Sequence, residues 1–331
     1  MTWALRAVGL AASALAVASC AGTGGAPSRP MAAPISAERI AEIVASPDRS
    51  AADRTNDLRR KPAEMLAFIG VRPGSTVLDL SAGGGYTTEL LARAVGPNGR
   101  VVGQSAPRNP ARAAPAAPEG VAAGPVAGSA SAPAAGAAAA AAVGGAATAA
   151  VGGAAAASTT GAAAAASTTG AAGPALPASG PPPRTSAMAL AERASKPATP
   201  NIVPAVQPFE DPVPAALASN GLDLATLMFN YHDLGHLGVD RARMNAAVFR
   251  ALRPGGFYVI ADHAGRPGTG ISESGTLHRV EEALVRREVE AAGFRLVASA
   301  DFLRNPGDPR DRNVPEPPQP KDEFVLKFVK P

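Results

Sequence analysis

The residues best suited to chemistry fall in two places. One is the run Asp79-Leu80-Ser81-Ala82-Gly83-Gly84-Gly85-Tyr86. Its three consecutive glycines let backbone N–H groups approach a ligand closely, and a helix that starts there aims its unpaired N–H groups at the same spot. A dinucleotide site would ask for G-x-G-x-x-G, yet the residue three beyond Gly85 is Thr88. Asp79 sets a carboxylate beside the turn. That charge would repel a pyrophosphate and suits a ligand bearing an ammonium or sulfonium group.

The other place is the second half of the chain, which holds all four histidines: His232, His236, His263 and His278. His232 and His263 follow apolar runs that read as strands, so they should face a pocket mouth. Either one, oriented by Asp233 or Asp262, has the chemistry of a general base for a hydroxyl or amine. The plainer reading is a set of hydrogen-bonded loop residues that shape the site. His232-x-x-x-His236 would suit two metal ligands on a helix. Gly235 and Gly238 argue for a loop instead, so no metal site is expected. His278, beside Glu281 and Glu282, reads as a first-turn helix residue.

Around these residues the pattern becomes specific. Val77-Leu78-Asp79-Leu80-Ser81-Ala82-Gly83-Gly84-Gly85 resembles motif I of class I S-adenosylmethionine-dependent methyltransferases. Leu252-Arg253-Pro254-Gly255-Gly256 and Glu290-Ala291-Ala292-Gly293-Phe294, each ahead of a strand, are similar to segments of that superfamily. The best resemblance is to exported bacterial proteins known as predicted methyltransferases. They share Asn230-Tyr231-His232-Asp233, Asp262-His263, Gly275-Thr276-Leu277-His278-Arg279 and the terminal run Phe324 to Pro331.

The resemblance implies S-adenosylmethionine as cofactor, with Asp79, Gly83 and Gly85 against its methionine part. The residue that ends the second strand is normally acidic and holds the ribose hydroxyls. Here it is Gln104, whose amide can hydrogen-bond a diol without a charge. Glu210 and Asp211 fall where the adenine amino group is usually held. Asn230 and Tyr231 fall where the fourth strand opens toward the reacting methyl. Catalysis would rest with His232, Asp233 and His263. Arg54, Asp57 and Arg60 could form a lid over the cofactor, or a solvated charged face.

The elements that position these residues alternate along the chain. Helices are predicted over Ile35–Val44, Pro62–Ile69, Tyr86–Val95, Ser186–Ala194, Arg241–Leu252 and Leu277–Ala292. Strands are predicted over Thr76–Leu80, Arg100–Gly103, Ile202–Val206, Leu222–Phe229, Phe257–Ala261, Phe294–Ala298 and Phe324–Val329. Strands separated by helices require right-handed crossovers and a parallel sheet. The last two strands have no helix between them and can pair antiparallel at one edge. The expected fold is therefore α/β: a doubly wound, Rossmann-like, mostly parallel seven-stranded sheet with an antiparallel edge hairpin and helices on both faces.

Not all of the 331 residues can build that fold. Residues 1–20 read as a signal peptide: Arg6, then the apolar run of residues 7–18, then Val17-Ala18-Ser19-Cys20. The run is too short to span a bilayer. Small residues before Cys20 look like a lipobox, which would lipidate that cysteine; an ordinary secretory signal is the alternative. Ala21 supplies no acidic retention signal, so the expectation is a periplasmic protein, lipid-anchored to the outer membrane. Residues 21–34 read as a flexible tether. Residues 105–183, nearly all Ala, Gly, Pro, Ser and Thr, read as a disordered insert after strand two, with no large side chains to bury. The methyltransferase-like domain would comprise residues 35–104 and 184–331.

Cys20 is the only cysteine, which rules out intrachain disulfides and cysteine-based zinc sites. The net charge of +4 is dispersed and makes no nucleic-acid footprint. Membrane contact is expected through the lipid alone. Two functions follow. One is methyl transfer from S-adenosylmethionine to a small-molecule or envelope acceptor. The other is binding of a nucleoside-like ligand or an envelope partner, without catalysis, on the same fold.

Overall fold

A computed structural model describes residues 32–107, 184–315 and 318–331. Cys20, nearly all of the tether, and residues 108–183 of the insert lie outside the described residues. Among those described, no helix is long and apolar enough to cross a membrane.

The chain enters through three helices: α1 (Ala37–Ala45), α2 (Ala51–Arg60) and α3 (Pro62–Ile69). Ser36 and Ser50 cap the first two, their hydroxyls accepting from the backbone N–H of Arg39 and Asp53. Pro62 opens α3, where a missing N–H costs nothing. Then β1 (Thr76–Leu80), α4 (Tyr86–Val95) and β2 (Arg100–Ser105) alternate. Beyond residue 183 come α5 (Ser186–Ala194), β3 (Ile202–Val206), β4 (Leu222–Met228), α6 (Asp233–His236) and α7 (Arg241–Ala251). The chain closes with β5 (Leu252–His263), α8 (Glu282–Ala291), β6 (Arg295–Ala300) and β7 (Glu323–Val329).

The seven strands form one sheet in the order β3-β2-β1-β4-β5-β7-β6. The first five run parallel, and β7 lies antiparallel between β5 and β6. The doubly wound, Rossmann-like expectation is met, including the antiparallel hairpin of the last two strands. Alternation along β1 divides the core between the two faces. Leu78 and Leu80 point into the cluster containing Met244, Val248, Val285 and Val289 of α7 and α8. Val77 points into the cluster containing Ile43, Leu66, Leu91 and Leu190 of α1, α3, α4 and α5. Strand order reverses between β1 and β4, which is where such sheets open a crevice at their carboxyl ends.

Four local expectations fail, each for a physical reason. Leu252–Gly256, expected ahead of the strand at Phe257–Ala261, is already the start of β5, because Leu252 pairs with Leu222 of β4. The expected helix at Leu277–Ala292 begins only at Glu282, because His278 takes a left-handed backbone (φ 50°) and Val280 bridges to Ala264. The expected loop after β4 is a short helix, α6, despite Gly235. Helix α2 was not expected, since its residues AADRTNDLRR form no apolar stripe. The one local signal was Ser50 three residues ahead of Asp53, a helix-start pattern.

Candidate active site

The turn from β1 into α4 sits at the switch point. Gly85, with φ 78°, is the left-handed residue at the start of α4. A Cβ there would lie 2.7 Å from Cδ of Arg193, so both backbone and packing require glycine. Arg193 is itself fixed: its Nε donates to the Gly84 carbonyl (2.6 Å) and its two Nη atoms grip Asp53 (2.8 Å each). It also pairs with buried Glu89, which Arg93 (2.7 Å) and Lys196 (2.9 Å) share.

Asp79 is 1% exposed. The Thr88 hydroxyl donates to its Oδ2 at 2.6 Å and the Thr226 hydroxyl to its Oδ1 at 2.7 Å. Thr226 lies opposite Asp79 in the β1–β4 register. Burial pushes the carboxyl up to about 6, against the pull of the two hydroxyls and of Arg60. A carboxylate kept in so dry a place is poised for a cation.

Helix α2 lies over this turn. Asp57 takes a bidentate grip from Arg49 (2.8 and 2.7 Å) and accepts the Tyr86 hydroxyl at 2.7 Å. The Arg60 guanidinium stands 4.4 Å from the Phe229 ring centre and 5.5 Å from that of Tyr86. Burial, helped by Arg59, lowers Arg60 to about 10. Arg60, Tyr86, Met228 and Phe229, with the apolar face of α3, line a small cleft. Asp57 and Arg60 pack against Tyr86 at the turn, whereas Arg54 stays outside, donating to the Ser46 carbonyl (2.6 Å).

A hydrogen-bond chain runs from the turn to the histidines. Ser81 N–H donates to Gln104 Oε1 (2.9 Å), and the Ser81 hydroxyl donates to Asn230 Oδ1 (2.6 Å). Asn230 Nδ2 donates to Asp233 Oδ2 (2.8 Å). Beyond it, imidazole nitrogens surround Asp233 Oδ1: His278 Nδ1 at 3.0 Å, His232 Nε2 at 3.2 Å and His236 Nδ1 at 3.8 Å. His232 Nδ1 donates to Asp262 at 2.6 Å, and His263 Nδ1 lies 3.0 Å from Glu323.

The charge states follow from these neighbours. Burial alone would lower His232, but Asp262 and Asp233 outweigh it and raise the imidazole to about 10. Burial alone would raise Asp233, but His232 and His278 hold it down at about 2. Burial drives His263 well below the usual histidine range, with Lys321 and His232 adding to the effect. Both ring nitrogens of His232 are thus engaged by carboxylates, Nδ1 by Asp262 and Nε2 by Asp233, which disfavours the general-base role that the sequence suggests.

The structure brings Asp79, Gly83, Gly85, Gln104, Asn230, His232, Asp233 and His263 to the carboxyl ends of β1, β2, β4 and β5. Gln104 is fully buried and committed at both ends, accepting from Ser81 and donating to the Gln207 carbonyl (2.7 Å). It braces the turn, and β2 continues one residue further to Ser105. Tyr231 is not brought to the mouth. It is buried with its hydroxyl on Glu288 (2.6 Å) and Asn245 (3.0 Å), beneath α7 and α8. Glu210 and exposed Asp211 lie past β3, two strands from the turn. Sequence reasoning missed Thr226, whose place opposite Asp79 is a matter of register, and Arg193, which reaches the turn from α5.

Residues 40–114 match the family model of protein-L-isoaspartate(D-aspartate) O-methyltransferase. No curated protein matches the chain. Among solved structures, a SAM-dependent methyltransferase from Aquifex aeolicus shares 14% identity, with 86% of this chain and 100% of that one covered and a TM-score of 0.45. Fibrillarin from Aeropyrum pernix, described with natively bound S-adenosyl-L-methionine, shares 14% identity over 78% and 68% at a TM-score of 0.39. The [4+2]-cyclase SpnF shares 14% over 85% and 82% at 0.45. Likenesses this distant transfer no activity. What the sheet order defines is a doubly wound α/β domain.

Proposed function

We propose that this chain is an S-adenosylmethionine-dependent methyltransferase. The observation that carries the reading is a buried carboxylate, Asp79, beside a left-handed glycine turn at the switch point of the sheet. The family match spans that turn together with β1, α4 and β2. The motif resemblance to exported predicted methyltransferases agrees with it.

The residues present fit the cofactor. A Cβ built on Gly84 meets nothing within 4 Å, so the turn leaves open space beside its backbone. Asp79 offers negative charge toward an ammonium or sulfonium group, while Gly83 and Gly85 allow the backbone to close on it. When bound, the cofactor supplies an electrophilic methyl for direct displacement by an acceptor oxygen or nitrogen. Arg60 and Tyr86 cover the turn and would exclude water. Asn230 ties the turn to the histidine cluster, so the acceptor is expected at the exits of β4 and β5. Positioning supplies most of the rate in such a transfer.

Calorimetric titration of S-adenosylmethionine into the full chain tests this. Micromolar binding, on the order of −8 kcal/mol, weakened in Asp79→Asn, is the expected result. No binding to well-folded protein refutes it. Export and lipidation at Cys20 belong to the same proposal and are checked separately by fractionation and mass of the mature N-terminus.

A further inference from the structure

We infer that the histidine cluster is a site for one divalent transition-metal ion of the zinc or ferrous type, held by His232, Asp233 and His278, with His236 as an available fourth ligand. The proposal stands independently of methyl transfer.

The donor geometry is the first ground. One nitrogen each of His232 and His278 and one oxygen of Asp233 lie within 4.8 Å of one another. The Nε2 of His232 is 3.2 Å and the Nδ1 of His278 is 3.0 Å from Asp233 Oδ1. Ligands at tetrahedral zinc, with bonds of ~2.0–2.1 Å, stand roughly 3.3 Å apart. His236 Nδ1, at 3.8 Å from the same oxygen, needs only a small ring movement to join. Two imidazoles, of His232 and His278, converge on this one oxygen, while His236 Nδ1 rests against Ser274 Oγ at 3.1 Å. A cation among them turns every one of these nitrogens into an acceptor.

The supporting shell is the second ground. Ligating histidines usually donate their other ring N–H to a carboxylate. His232 does so to buried Asp262, leaving Nε2 for an ion. Asp233 uses its second oxygen on Asn230. His278, with a left-handed backbone, is followed by Arg279, which is fully buried and paired with Asp308 at 2.9 Å. Ser274 accepts the His236 N–H (2.9 Å) and donates to the His232 carbonyl, clamping both ends of α6. Such fixed side chains are what a metal site requires.

Charge and access complete the case. Asp233 and Asp262 together supply two carboxylates toward a dication. Imidazole with a single direct carboxylate selects zinc-type ions over magnesium or calcium, which prefer several oxygens. The side chains of Asp233, His278 and His236 are 25%, 29% and 37% exposed, so an ion can enter.

The test is metal binding itself. Full-length protein is stripped with a chelator and titrated with Zn²⁺ by calorimetry and with Co²⁺ by visible absorption, and both are repeated for Asp233→Asn and His278→Asn. Asparagine tolerates the left-handed backbone at 278, and circular dichroism verifies folding. One equivalent of ion, a tetrahedral Co²⁺ band and a loss of at least tenfold in affinity in both variants are expected. No saturable binding by folded protein, or binding undiminished in both variants, overturns the proposal.

Discussion

The glycine turn and the histidine cluster share one rim of the sheet but are built in opposite ways. The turn is nearly contiguous: Asp79 to Thr88 supplies the carboxylate, the left-handed backbone and one of the two hydroxyls that hold the carboxylate. The cluster draws His232 and Asp233 from the β4 exit, Asp262 and His263 from β5, and His278 from the segment after it. Local backbone chemistry makes the first; a wrapped segment, clamped by Ser274 and Arg279, makes the second. A contiguous site should tolerate distant change, whereas an assembled one should fail with its clamps.

The largest expected effect sharpens where that contrast ends, because one long-range residue also serves the turn. Arg193→Ala leaves buried Asp53 and Glu89 short of a cation and should cost about 3–5 kcal/mol, read as a lower urea midpoint with unchanged slope. Next, Asp79→Asn should weaken S-adenosylmethionine by about 2 kcal/mol, in the range of a charge-assisted hydrogen bond, while Zn²⁺ affinity stays unchanged. Equal loss of both would break the comparison.

Gly235→Ala makes the converse cut. A Cβ there would clash with Ile271 and lie 2.8 Å from Ser274 Oγ, pushing the clamp off α6. A destabilisation of about 1–3 kcal/mol and loss of Zn²⁺ binding are expected in calorimetry, with cofactor binding retained.

The smallest effect is that of pH on the turn. Asp79 folds with its carboxyl at about 6, above the ordinary value. Protonation therefore favours the ligand-free fold; that contribution is complete below about pH 4 and is lost as pH rises through 6. A cationic ligand needs the ionised form, so affinity should fall roughly tenfold from pH 7 to pH 5. Titrations at both pH values, with Asp79→Asn nearly flat between them, check this.

The difference in construction also explains what could be read in advance. Strands β1 and β3 and helices α3, α4 and α5 were legible to the residue, because an apolar run or stripe bounded by Gly, Pro or a capping residue marks each one. Helix α2 was hidden because charge pairs, Arg49–Asp57 and Arg193–Asp53, hold it down rather than an apolar face. Tyr231 sits next to Asn230 and His232, yet its side chain points into the core under α8. Sequence adjacency does not say which neighbour faces the crevice. His278 was misplaced onto a helix because nothing local announces a left-handed histidine.

The sequence by itself determined the doubly wound sheet and the glycine turn with its carboxylate, since both follow from hydrophobic period and from backbone freedom within a few residues. Only the tertiary structure decided that His232, His236 and His278 meet around Asp233, that Asp233 and Asp262 flank the His232 ring, and that α2 packs over the glycine turn. Those outcomes depend on burial and on charge pairs between residues far apart in sequence, and neither quantity exists until the chain has folded.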